Sequence, residues 1–407
     1  MKNRIVFMII MLLCFILCSC GTANKEAFLY VDTDYANHDE RPTSIQSGIS
    51  SQFRLIGNSF NLATDYCDVV NNGFYRLTNK ADGAIALIYY DFISGNVEEK
   101  QLIGSSQEVT DMFLTSDGNR LYIFLNKVVH GETQLQILVL SSAGKIQQEY
   151  TVKHYGVSSH SKVALYDEDL VFSCFSTKDS NSYRIVRLCA TTGETDILMT
   201  SKEKEEIRLV DVAGTKLCML TTKKDAKQDI IAYEIITIDM ETGENESVMS
   251  FHPNELQGIF SEGNLYYFRE KELIIHKLDL STKEELIWNK DISEIAMSIG
   301  ASQVVLDNNV RDNKVILGFY DSEPLLFMAM DTIKPDNLEE VPMSNEPIVA
   351  ETEDFFILWI SGAEALINDT VVKNGITEEV TRVEPVFAMI PKVDYWYGKE
   401  YKIFCYN

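Results

Sequence analysis

Glycine and proline are scarce in this 407-residue chain, at 21 and 8, which excludes collagen-like and low-complexity architectures. Eight cysteines are too few for a disulfide scaffold of this length. Basic residues are in deficit, 36 against 61 acidic. The net charge of −25 argues against nucleic acid as a partner, because a phosphate backbone would be repelled. Six histidines (His38, His130, His154, His160, His252, His276) are scattered, with neither helical zinc spacing nor a pair on one strand. No G-x-S-x-G elbow occurs, no metal site is read and no cofactor is called for. Helical periodicity is also missing, Glu203 to Leu209 being the best weak candidate, and this speaks against a two-lobed α/β solute receptor.

What is present is ample apolar content, 45%, enough to build a sizeable core. At the N-terminus, Lys2 and Arg4 precede an unbroken apolar run of 14 residues, Ile5 to Cys18. That run is shorter than the roughly 18 residues a permanent membrane helix needs, and it fits a signal-peptide core. It ends in Leu17-Cys18-Ser19-Cys20-Gly21. This segment resembles the lipobox of bacterial lipoproteins, in which a small residue precedes the cysteine that becomes lipidated. The resemblance implies cleavage after residue 19, a lipidated Cys20 and a cell-membrane address on the extracytoplasmic face. Alternative readings are an ordinary secretory signal or an N-terminal membrane anchor. Loss of residues 1–19 removes Lys2 and Arg4 and no acid, taking the net charge from −25 to −27. A globular part so charged stands off anionic headgroups. Residues 20–50, rich in Asn, Asp, Ser and Thr, read as a lipid-anchored linker.

Residues 51–407 repeat. A polar turn followed by an apolar strand recurs around Phe74, Leu121, Leu170, Leu217, Leu265, Val315 and Phe355, at intervals of 47, 49, 47, 48, 50 and 40 residues. A second marker, a tight turn between two short strands, recurs at Gly95, Gly144, Gly193, Gly243, Lys283, Pro335 and Gly375. Four short strands per unit of about 48 residues predicts an all-β propeller. A pair of β-sandwiches would not hold one spacing so long. The segment after Pro385 carries VFAMI, VDYWY and YKIFCY, which either complete a seventh blade or make most of an eighth. Eight is slightly favoured, with residues 28–31 or 51–57 supplying the closing strand. Thr115-Ser116-Asp117-Gly118-Asn119-Arg120-Leu121-Tyr122 resembles the repeat of Tol-type and related bacterial propellers, which implies fold and not function.

Chemistry is thinner. With Cys20 set aside, Cys67, Cys174, Cys189, Cys218 and Cys405 remain in the mature chain, and Cys174 could pair with Cys189 across successive strands. Loops between second and third strands hold Lys80, Lys127, Lys178, Lys223, Lys224, Lys227 and Lys271, while turns of the opposite face carry more acid. Such an asymmetry would draw an anionic partner to one face; ordinary solvated loops are the plainer alternative. Two functions stay open. One is a membrane-anchored, non-catalytic binding or scaffolding module for a protein, peptide or glycan. The other is an enzyme acting on an extracellular carbohydrate or lactone, with Asp65, Asp68, Asp111 and Asp211 converging on a central channel.

Overall fold

A computed structural model describes residues 53–56 and 67–404, with interruptions of at most four residues inside the second span. Cys20, the linker, Asp65, Lys271 and Cys405 lie outside the described residues. The chain starts with β1 (Phe53–Ile56). Blade 1 is β2 (Cys67–Val70), β3 (Gly73–Asn79), β4 (Ile85–Asp91) and β5 (Val97–Ile103); blade 2 is β6 (Glu108–Ser116), β7 (Arg120–Val129), β8 (Glu132–Ser141) and β9 (Ile146–Lys153). Blade 3 comprises β10 (Tyr155–Gly156), β11 (Val163–Tyr166), β12 (Asp169–Ser176), β13 (Tyr183–Leu188) and β14 (Thr195–Thr200), with β10 and β11 both pairing to β12. Blade 4 is β15 (Glu205–Ala213), β16 (Lys216–Lys224), β17 (Ile230–Asp239) and β18 (Asn245–Phe251). Blade 5 is β19 (Leu256–Ser261), β20 (Asn264–Arg269), β21 (His276–Asp279) and β22 (Glu285–Ile287). After the short α1 (Ser293–Ser298), blade 6 is β23 (Gln303–Leu306), β24 (Lys314–Tyr320), β25 (Leu326–Asp331) and β26 (Leu338–Glu340). Blade 7 is β27 (Ile348–Glu351), β28 (Phe355–Lys373) and β29 (Ile376–Pro391), then α2 (Lys392–Trp396) and β30 (Lys402–Phe404).

The predicted propeller is present, with seven blades among the described residues. The segment after Pro385 finishes the seventh rather than founding an eighth: VFAMI lies within β29 and KIF is β30, while DYW belongs to α2 and not to a strand. Of the turn markers, Gly95, Pro335 and Gly375 lie outside the described residues, and position 375 falls in sequence between second and third strands, where its counterparts fall between third and fourth. Glu203 to Leu209 is not helical, and residues from Glu205 onward are the first strand of blade 4. Cys174 sits opposite Arg184, whereas Cys189 follows the far end of β13; both thiols are free.

Strand alternation builds the ring. On β3, Tyr75 and Leu77 point towards blade 2, and Phe74 points towards blade 7. Apolar clusters join blades 1, 2 and 3, then 3 and 4, 4 and 5, 5 and 6, 6 and 7, and finally 7 and 1. Each fully buried Phe or Leu contributes about 1.5–3 kcal/mol to such seams. First strands touch between blades 7 and 1, 1 and 2, 4 and 5, and 5 and 6, the edge of each sheet that faces the axis. The face carrying connections between second and third strands is termed upper, and the face carrying the other hairpin turns lower.

Closure uses no exchanged strand. All four strands of blade 7 come from the C-terminal part of the chain and all four of blade 1 from residues 67–103. Residues 53–56 do form a strand, but it does not close the ring. Instead β1 lies antiparallel to β11, on the channel edge of blade 3, with Phe53 opposite Tyr166 and Ile56 opposite Val163. Because first strands run from the upper to the lower face, β1 runs from lower to upper.

Candidate functional site

The channel carboxylates expected to converge are turned into the backbone. The amide of the next residue donates to each: Val69 to Asp68 Oδ1 at 2.7 Å, Met112 to Asp111 Oδ1 at 2.9 Å and Val212 to Asp211 Oδ1 at 2.8 Å. In blades 2 and 4 a β-bulge lies directly before the aspartate, which re-aims its side chain at the chain itself. Asp211 also accepts the amide of Gly263, at 3.0 Å, from the lower-face turn of blade 5. That turn needs glycine: φ is +75°, and a Cβ would meet Ala213 Cβ at 3.0 Å. Burial pushes the Asp211 carboxyl up to about 6, an effect opposed by the nearby Lys162 ammonium and the two amides. Among the described residues no group of three or more His, Cys, Asp or Glu side chains is placed to hold a metal ion. The three described aspartates brace blades, a role their strand positions alone did not reveal.

Lys80, Lys178 and Lys227 fall between second and third strands, and Lys127, Lys223 and Lys224 within second strands, and part of this charge is already paired. Lys80 pairs with Glu99 at 2.8 Å and Asp369 at 3.6 Å. Lys223 pairs with Glu234 at 2.7 Å and Lys224 with Glu206. Lys127 is within β7, where burial lowers its pKa. Lys178 and Lys227 are exposed in loops.

Sequence reasoning missed the largest feature of that face. Strands β28 and β29 run to 19 and 16 residues, while no other strand exceeds ten. Past a register shift after Trp359, residues from Glu364 to Lys373 pair with Pro385 down to Ile376 as a long upper hairpin. Its inner side carries Ala365, Asp369, Val371, Arg382 and Glu384. Arg382 joins Glu99 at 2.7 Å and Glu384 at 2.6 Å, and Glu384 also pairs with Arg76 of blade 1. Its outer side carries Leu366 and Val383, directly opposite each other and 61% and 53% exposed, while Ile376 near the tip, on the register of Arg382 and Glu384, is 65% exposed. The signal was the shorter interval of 40 residues before Phe355.

Between blades 2 and 3 lies a hollow of about 360 Å³, lined by Arg120, Tyr122, Gln148, Tyr150, Glu168 and Thr191 among others. Arg120 is held there by Asp117 at 2.9 Å and Glu168 at 2.6 Å, so its charge is already answered.

No family model and no curated protein matches this chain in sequence. Solved structures are similar at low identity. The propeller domain of the Trilobed protease from Pyrococcus furiosus, described as having an open velcro topology, is 12% identical over 87% of this chain and 99% of that one, with a TM-score of 0.48. A prolyl endopeptidase is 11% identical, with a TM-score of 0.49, over 82% of this chain. This chain spans about half, 55%, of that peptidase's length. TolB from Acinetobacter baumannii is 13% identical over 76% of this chain and 81% of its own, with a TM-score of 0.35.

Proposed function

We propose that the chain is a lipid-anchored surface propeller that binds or scaffolds a protein, peptide or glycan through its upper face, without catalysis. The observation carrying this reading is the blade 7 hairpin, which is stiffened on its inner side by ion pairs and leaves Leu366 and Val383 uncovered on its outer side, with Ile376 exposed near the tip. Exposed apolar pairs on a projecting, polar-rimmed element suit a contact surface. The enzyme reading asked for converging carboxylates, and the backbone hydrogen bonds of Asp68, Asp111 and Asp211 favour a bracing role instead. The direction of β1 adds an orientation. A tether from Cys20 meets the domain at the lower face, so the upper face, with Lys178 and Lys227 at its rim, looks away from the membrane.

Two experiments test this. Replacement Cys20→Ser moves the protein from the membrane to the soluble fraction; persistence in the membrane would count against the anchor. The pair Leu366→Asp and Val383→Asp, introduced together, abolishes a cross-link that the wild-type protein forms in intact cells while leaving the Tm unchanged. An identical cross-link pattern would remove the hairpin from the binding surface.

A further inference from the structure

The channel edge of blade 3 is built differently from the other six. Its first-strand position is split: β10 pairs with the upper end of β12, the chain then leaves the ladder, and β11 rejoins it for four residues. Against those four residues lies β1, matched in length and paired at every position. Among the described residues no other blade has a strand on its channel edge.

The seat reads side chains as well as backbone. Phe53 is buried, with its ring edge-on to Tyr166 at a centroid distance of 5.5 Å, in the cluster that includes Ile207 and Leu209 of blade 4. Leu55 packs on the same cluster, and Ile56 is buried on the other side among blades 1 to 3. The resulting specificity is aromatic, unrestricted, aliphatic, aliphatic. We propose that the channel edge of β11 is a strand-addition site for an extended peptide of that pattern, and that β1 is its resident, exchangeable occupant. This names the partner chemistry of the binding reading above and rests on that reading.

Physical considerations favour exchange. β1 is four residues long and, among the described residues, pairs with β11, while residues 57–66 join it to the first strand of blade 1. A short connection gives an effective concentration of millimolar order, which an outside peptide at comparable concentration can compete with. Main-chain pairing supplies affinity in such complexes and alternate side chains supply choice.

The test uses a labelled peptide of residues 51–58, SQFRLIGN, and the mature chain carrying Phe53→Asp and Leu55→Asp, which unseat β1 but leave β11 intact. The variant should bind the peptide at least about tenfold more tightly than wild type does, and a peptide with proline in place of Leu55 should not bind. Equal binding by variant and wild type, or binding of the proline peptide, overturns the proposal. Should the variant not fold, amide exchange in the wild-type chain decides. Residues 54–56 should exchange at least a hundredfold faster than β12, and exchange at the rate of β12 overturns it. A cross-link lost on altering Leu366 and Val383 while β1 stays immobile would overturn this inference and leave the binding reading standing.

Discussion

Arg76 and Glu384, 308 residues apart, form an ion pair across the seam between blades 1 and 7, with side chains 0% and 1% exposed. Glu384 also receives Arg382, which reaches Glu99, and Asp369 joins Lys80, so three cations and three carboxylates form one neutral network. This network and the aromatic contacts of Phe74 with Phe387, at 5.0 Å, hold a ring that has no exchanged strand. Removing one member of a buried pair strands the other charge, at a cost of about 3–5 kcal/mol, whereas replacing both by apolar residues costs far less. Glu384→Ala should therefore lower the Tm strongly and open the blade 1 and 7 seam to limited proteolysis. The combination of Arg76→Met with Glu384→Leu should recover most of the loss. A single variant as stable as wild type would show that the seam is held by its apolar contacts alone.

Asp211 gives a pH dependence with a defined sign. Its pKa rises from the ordinary 3.8 to about 6 in the folded chain, chiefly through burial. The folded state thus prefers the neutral acid. The ionisation penalty is absent below about pH 4, grows between pH 4 and 6, and persists above. One pKa unit corresponds to about 1.4 kcal/mol, so the penalty at pH 7 is about 3 kcal/mol. Asp211→Asn removes this penalty and keeps an acceptor for one of the two amides. Its stability relative to wild type should rise by about 2–3 kcal/mol from pH 4 to pH 7 in urea titrations. A pH-independent difference would place the carboxyl in a better-solvated setting.

The blade 4 and blade 5 lower turns are the same turn with one misfit. Asp239 and Asp279 each accept two amides of their turns, and Gly243 and Lys283 donate back to Asp239 and Asp279 carbonyls at 2.8 and 2.9 Å. Gly243 sits at φ +73° and Lys283 at +63°, a conformation that costs a side-chain-bearing residue about 1 kcal/mol. Lys283 pairs with Glu246, but an ion pair so exposed contributes little. Lys283→Gly should raise stability by roughly 1 kcal/mol, seen as a higher urea midpoint at unchanged slope. A fall in midpoint would mean that the surface pair outweighs the backbone strain.

The fold was legible because propellers repeat: seven polar turns before apolar strands, at near-constant spacing, are local signals. The eighth-blade expectation failed for an equally physical reason. Long strands β28 and β29 hold apolar runs enough for two ordinary hairpins. The loop lysines were legible as charge and not as ion pairs: Lys80, Lys223 and Lys224 find carboxylates that the folded ring supplies. The aspartates were legible as channel residues and not as braces, because a bulge one residue earlier decides where Asp111 and Asp211 point. Nothing in the four residues of β1 announces a partner on blade 3, nor does Arg76 announce Glu384. Contacts over a hundred or more residues leave no local periodicity.

The blade 3 turn makes the last prediction. Cys189 occupies the position held by Asp239 and Asp279 in the next two blades: its amide donates to the Glu194 carbonyl at 2.9 Å, and Gly193 donates back to its carbonyl at 2.8 Å. Its sulfur takes the place of their carboxylates. The hydroxyl and amide of Thr192 and the amide of Thr191 donate to it, holding the thiol below its ordinary value. Cys67, Cys174 and Cys218 are buried, and burial pushes Cys174 up to about 12 and Cys218 higher still. A thiol reacts as its thiolate, so access and pKa favour the same residue. At pH 7.5, limiting iodoacetamide should modify Cys189 at least about tenfold faster than these three, as read by peptide mass spectrometry. Thr192→Val, which removes one donor, should slow that reaction while sparing the Tm. Equal labelling of Cys67 and Cys189 would show that the seams breathe faster than the turn protects.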